Sequence, residues 1–412
     1  MFDKNLNQVF VFSLILCITV CKKSLAQNDL NPTPVLASPS LPAGVSSGNS
    51  AKIMNPDISL IGLFSFSQYD TGEPLLFSGG HDPKQSGFNT QQIELTLGSV
   101  IDPYLRGDAN LVLVPENGET KIEIEEAYVT SLDLPWNLQI KAGQFFTSFG
   151  RHNTFHPHSW NYVNKPLIIS RVFGGDGLRN PGVQLSWLSP LPWYSEFILS
   201  SQNSNGETAV SFLSESKMKT TGDSLTLLKW NNYFSLTDIL SINIAGSYVQ
   251  GPNETNYHRD ITRIKGADIY IKYRNPNSVS FISLQSEIIR RDYGLESATP
   301  NDWGWYSELN YRLGEELQRW MIGLRYDWVS AKMQDAPNTS PGTELDTATG
   351  KYPDRDISGR SRVSPVVTFY PSEFSKLRLQ YDYDKPESWQ NAQHAVHLQL
   401  EFLMGAHGAH KF

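Results

Sequence analysis

From Asp57 to the end of the chain, apolar and polar residues exchange places at every second position in short runs bounded by turn formers, the period of strands with two chemically different faces. About sixteen such runs can be placed, near 57–68, 90–101, 104–114, 121–130, 136–147, 181–189, 193–203, 223–235, 238–250, 263–274, 278–291, 302–312, 319–331, 359–370, 374–384 and 393–403. Helical periodicity is nearly absent. In KIEIEEAYV, Ile122, Ile124 and Tyr128 stand against Lys121, Glu123 and Glu125. In the run from Lys376 to Asp384, Leu377, Leu379, Tyr381 and Tyr383 stand against Arg378, Gln380, Asp382 and Asp384. The same parity sets Arg325 and Asp327 against Leu324, Tyr326 and Trp328.

The links between runs alternate in length. Those after even-numbered runs are tight and built from Pro, Asn and Asp (Asp102-Pro103, Pro190 to Pro192, Asn275 to Asn277), whereas most of the others are long (Thr71 to Asn89, Ser148 to Asn180, Ser204 to Gly222, Lys332 to Ser358). Aromatics gather beside the tight turns: Trp136, Trp187, Trp193, Tyr194, Tyr233, Phe234, Tyr311, Trp320, Tyr370, Phe374 and Phe402. Short turns on one rim, long loops on the other and aromatic girdles predict an all-β fold, a transmembrane antiparallel up-and-down β-barrel. An Arg or Lys facing lipid at mid-bilayer costs about 2–4 kcal/mol, so the charged rows are expected to face the interior. They form a mixed, acid-leaning, water-filled wall: Glu94, Asp108, Glu123, Glu125, Asp268, Glu287, Glu308, Asp327, Asp382 and Glu401 against Arg106, Lys141, Lys272, Arg325 and Arg378.

Composition narrows the picture. Residues 1–26 have the charged start, apolar run and small-residue end of a secretory signal, and 27–56 form a Pro/Ser-rich lead-in too short for a plug domain, leaving 57–412 as the barrel. Both cysteines, Cys17 and Cys21, fall in the signal segment, so no thiolate site is expected in the mature chain. A formal net charge of -8 argues against a nucleic-acid partner. No nucleophile-elbow, metalloprotease or phosphate-loop motif occurs, so neither enzymatic activity nor a cofactor is expected.

The longest break in the strand pattern, Gly143 to Asn180, concentrates the candidate chemistry: Arg151, His152, His156, His158, Lys165, Arg171, Asp176 and Arg179. A loop of this length and charge is expected to carry function. As the third outer loop it is predicted to fold inward, with Arg151, Arg171 and Arg179 facing Glu123, Glu125 or other wall carboxylates across a constriction that Arg106, Lys141, Arg325 and Arg378 also line. The three loop histidines have no carboxylate at ligand spacing in their own stretch and, with His407 and His410 of the GAHGAHKF tail, are not expected to hold a metal.

Two consecutive stretches, IELTLGSVIDPYLRGDANLVL and IEIEEAYVTSLDLPWNLQIKAGQFFTSFGR, resemble the front half of the outer-membrane porins grouped with the phosphate-selective porins O and P. The resemblance implies a homotrimeric, sixteen-stranded porin in the outer membrane of a Gram-negative bacterium. Such a protein sits among lipid and lipopolysaccharide and passes small polar solutes or ions by diffusion. The acid-leaning wall departs from the inward arginine and lysine ladder of the anion-selective members. The tail also resembles those of Gram-negative outer-membrane proteins linked to metal supply. A solute-selective channel for anions or metal ions and a non-conducting adhesin or scaffold therefore stand as alternatives.

Overall fold

The structure is a computed structural model that describes residues 56–70, 79–116, 119–214, 216–253, 260–294, 301–331, 359–387 and 391–405. The signal segment, the lead-in up to residue 55 and the tail histidines lie outside the described residues. Sixteen strands follow in order: Asp57–Tyr69 (β1), Gly87–Val100 (β2), Leu105–Glu116 (β3), Glu119–Ser131 (β4), Leu138–Phe146 (β5), Arg179–Leu188 (β6), Tyr194–Gln202 (β7) and Leu225–Ser235 (β8) in the first half. The second half comprises Leu240–Pro252 (β9), Ile261–Arg274 (β10), Phe281–Tyr293 (β11), Asn301–Arg312 (β12), Trp320–Val329 (β13), Arg360–Ser372 (β14), Ser375–Pro386 (β15) and Gln393–Gly405 (β16). Each pairs antiparallel with its chain neighbour, and β1 closes on β16 from Ser59 opposite Gly405 to Tyr69 opposite Ala395. Closure removes the sheet edge, so each strand has a neighbour on both sides for its backbone hydrogen bonds.

The two faces are inverted relative to a water-soluble protein. On β15, Leu379 and Leu377 are exposed while Arg378, Gln380, Asp382 and Asp384 are buried; on β13, Ile322 and Leu324 are exposed while Arg325 and Asp327 are buried. Trp136, Trp187, Trp193, Tyr194, Tyr233, Tyr311, Trp320 and Phe374 stand exposed. Tyr370 departs from the predicted girdle. Its hydroxyl faces the sulfur of buried Met321 at 3.9 Å and the Arg312 guanidinium lies 4.0 Å above its ring, so it turns inward.

A second departure lies in β4. The register against β3 slips between Asn110 and Leu111: Asn110 pairs with Glu126 and Leu111 with Ile124, leaving Glu125 as the extra residue of a β-bulge. The alternation therefore changes phase. Glu125 and Glu126 are both buried on the inner side, Val129 is exposed, and Tyr128 lies inside with the Lys141 ammonium 4.4 Å from its ring centre. Strict alternation had put Tyr128 on the outer face; the bulge moves it.

The interior is also not the uniformly water-filled wall that the sequence predicts. The link 147–178 carries a short helix, Leu167–Phe173 (α1), whose seven residues are all buried. Phe149, Leu167, Ile168, Ile169, Val172 and Phe173 pack with Ala209 and Phe212 of the link 203–224 and with Ile198, Leu225, Leu227, Val249, Ile264, Ile289, Tyr306 and Val329 from β7 to β13. An apolar core thus forms against the inner wall, and the wall charges beside the link are buried by it.

Candidate functional site

A link with little regular structure must find partners for its backbone polar groups. The link 147–178 finds them on strands spread around the ring. At Gly150 the backbone takes a φ of +58, and a Cβ there would come within 2.3 Å of the Glu287 carboxylate on β11. That close approach lets one carboxylate oxygen of Glu287 accept from the Arg151 amide at 3.1 Å, the His152 amide at 2.6 Å and the Tyr306 hydroxyl at 2.7 Å. The Gly150 amide donates to Ser247 Oγ on β9, and Lys229 Nζ on β8 donates to the Gly150 carbonyl.

Farther along, the Val163 amide donates to Gln380 at 2.7 Å, Asn164 Nδ2 to Asp382 at 2.7 Å and the Leu167 amide to Asp327 at 3.1 Å. Arg325 donates to the Asn164 carbonyl at 2.8 Å while holding Asp327 at 2.8 Å, and Arg378 donates to the Trp160 carbonyl at 2.7 Å. Each such bond contributes about 1 kcal/mol net, more where one partner is charged.

Between β2 and β4 the link meets a cluster of histidines and carboxylates. His156 Nδ1 lies 2.7 Å from Glu125 Oε2 and 3.7 Å from Glu94 Oε1, and its Nε2 lies 2.9 Å from Glu126 Oε2. His158 Nδ1 lies 2.9 Å from Glu94 Oε2, with its ring stacked on His156 at 5.7 Å. His81 joins from residues 79–86, with Nε2 3.9 Å from Glu125 Oε1 and 3.7 Å from Asp176 Oδ1. Burial pulls the His156 imidazole down, but Glu94, Glu125 and Glu126 outweigh it and hold the group well above its ordinary value. Burial pushes Lys165 down to about 8 despite Asp176 and Asp82 nearby. His152 is held well below its ordinary value by burial, with Lys165 and Arg325 adding to the effect.

The sequence-selected residues therefore separate. Glu125, His156 and His158 come together. His152 leaves the histidine group and packs on Trp160 at 5.2 Å and Tyr306 at 5.9 Å, because its amide is fixed on Glu287. Arg179, at the start of β6, pairs with Glu123. Arg151 donates to Gln285 at 3.1 Å and lies 4.0 Å over the Tyr270 ring. Arg171 on α1 donates to the Ser330 carbonyl. Arg106 pairs with Asp108 at 2.8 Å next to a tight turn, away from the long link, and Lys141 sits over Tyr128. Arg325 and Arg378 are fully buried anchors of the link. The expectation that the loop histidines lack carboxylates at ligand spacing is corrected, since Glu94, Glu125 and Glu126 arrive from the wall. Sequence alone passed over His81, which sits in a stretch without periodicity, and Glu126, which the bulge conceals.

No family model matches the chain. An uncharacterized protein of Aquifex aeolicus (strain VF5) is 30% identical over 406 residues, spanning 88% of this chain and 81% of that protein. The chain belongs to that protein's family. Among solved structures, this chain is similar to the outer membrane channel DcaP of Acinetobacter baumannii, at 12% identity and a TM-score of 0.53 over 85% of this chain and 98% of that one. It is also similar to the anion-selective porin from Comamonas acidovorans, at 9% identity and a TM-score of 0.52 over 85% of this chain and all (100%) of that one. The trimer form of OmpT of Vibrio cholerae gives 8% identity and a TM-score of 0.50 over 85% and 99%. At these identities the shared property is the closed sixteen-stranded porin barrel.

Proposed function

We propose that the protein is a porin of a Gram-negative outer membrane, a passive diffusion channel for small polar or charged solutes, without enzymatic activity. The observation that carries this reading is the inverted polarity of a closed ring: apolar residues outside, charged rows inside. The apolar face meets lipid, and the long-loop rim meets lipopolysaccharide. A homotrimer is part of the proposal, supported by the trimer form of the OmpT fold neighbour. The link 147–178 acts as the constriction, anchored by Glu287, Asp327, Gln380 and Asp382. The passage runs beside β3 to β5, where Glu123 at 37% and Arg106 at 38% side-chain exposure keep contact with water, whereas the charges of β13 to β15 are sealed. A passage bordered by both signs of charge favours polar or zwitterionic solutes over long apolar ones.

Reconstitution in planar bilayers tests this. Continuous, ohmic conductance is expected, with different gel migration of boiled and unboiled samples because a closed barrel resists detergent. A protein that migrates as a folded barrel but never conducts would overturn the channel and leave an adhesin or scaffold.

A further inference from the structure

The cluster between β2, β4 and the long link has more ligand chemistry than a structural hydrogen-bond network needs. One donor atom each from Glu94, Glu125 and His156 lies within 4.8 Å of the others, close to the roughly 4.4 Å that two bonds of about 2.2 Å to one ion can span. An independent observation points to a missing partner. His81 is 4% exposed, and neither of its ring nitrogens has a hydrogen-bond partner; Nε2 is aimed between Glu125 and Asp176. A buried polar atom without a partner costs about 1–3 kcal/mol, a cost a bound ion would remove. The Glu94 carboxylate is also fixed from behind, as ligands of metal sites usually are. Gln92 Nε2 donates to it at 2.7 Å and Thr96 Oγ1 at 3.2 Å.

We propose that Glu94, Glu125, His156 and His81 form a binding station for a divalent transition-metal cation on the inner wall of the barrel. Imidazole nitrogens mixed with carboxylate oxygens suit Zn²⁺, Co²⁺ or Ni²⁺, whereas Ca²⁺ and Mg²⁺ take oxygen ligands alone. The ion enters from the interior side, where His156 retains some exposure, and His158 holds Glu94 in place. The chemistry is binding only, with no bond made or broken in a solute.

The test uses the untagged full-length protein in detergent, titrated with Zn²⁺ by calorimetry and with Co²⁺ by visible absorption. One site per chain is expected, with a Co²⁺ spectrum of mixed nitrogen and oxygen ligation and no displacement by millimolar Mg²⁺. Because the His81 ring makes no hydrogen bond, and the Gln91 bond to its carbonyl survives substitution, His81→Ala should fold normally and bind at least about 10-fold more weakly; Glu125→Gln, of the same shape, should lose about 100-fold. A double His407→Ala, His410→Ala variant should bind like the parent. The proposal is overturned by absence of binding, by unchanged affinity in heat-modifiable His81→Ala and Glu125→Gln, or by loss of the site in the tail variant. The readout needs no membrane current. A barrel that binds metal but does not conduct refutes only the channel, and one that conducts without binding refutes only this station.

Discussion

Glu287→Ala should release the long link from the wall. One carboxylate oxygen accepts from two backbone amides of the link, Arg151 and His152, and from the Tyr306 hydroxyl. Alanine leaves both amides without that acceptor, at about 1–3 kcal/mol each. Removing a buried carboxylate beside Asp268 gives some of this back, so the lower end of the sum, about 2 kcal/mol, is the working figure. That corresponds to roughly a 30-fold rise in the population of the detached link. Glu287→Gln keeps an acceptor of the same shape and should show a smaller change. Hydrogen exchange at the Arg151 and His152 amides reads the effect directly, and gating noise in single-channel records reads it functionally. If both amides exchange as slowly in heat-modifiable Glu287→Ala as in the parent, the assignment of Glu287 as the anchor is refuted.

Two further outcomes follow from the charges placed above. Arg106→Ala with Arg179→Ala should move the reversal potential in a salt gradient toward cations and raise conductance; unchanged values would mean that these groups do not border the passage. For Lys165, the folded-state value of about 8 lies below the ordinary 10.5, so burial of its ammonium opposes folding most strongly below pH 8. That cost is relieved as pH rises from about 8 toward 10.5. The link should therefore detach less at pH 9 than at pH 7, and selectivity should move toward cations over the same interval as the charge is lost. Lys165→Met should abolish both changes, and a parent profile flat across the interval would refute the assignment.

The strands were legible because a period of two survives small errors of boundary: β13 and β15 show the parity that Leu324, Arg325, Leu379 and Gln380 imply. The bulge was not, since Glu125 and Glu126 are equally polar and either phase satisfies the pattern locally. The histidine cluster was half visible. His156 and His158 stand out in the link, but Glu94 meets His158 across 64 positions of chain, a distance no spacing rule covers. His81 follows residues that lie outside the described ones and belongs to no periodic run, so nothing local marked it. The apolar core was missed for a related reason: Ile168, Phe212 and Val249 look ordinary in their own segments and acquire meaning only when two links fold against the same wall.

The bulge gives β4 two reading frames of alternation within one strand. Each frame assigns residues to lipid or interior in the opposite order, and the frames meet at Glu125. Deleting that single residue would restore one frame throughout and leave Glu123, Ile124, Glu126 and Tyr128 opposite the β3 residues they face now, removing one carboxylate from the cluster without turning the strand over. Loss of one residue at the bulge is thus less damaging to the barrel than loss of one anywhere else in the strand, where it would put one side on the wrong face. Within the family, a relative whose β4 aligns with a one-residue gap at this point cannot present two adjacent carboxylates to His156, whatever the rest of its barrel retains. The alignment gap, more than the identity of any single residue, would mark which relatives keep the cluster.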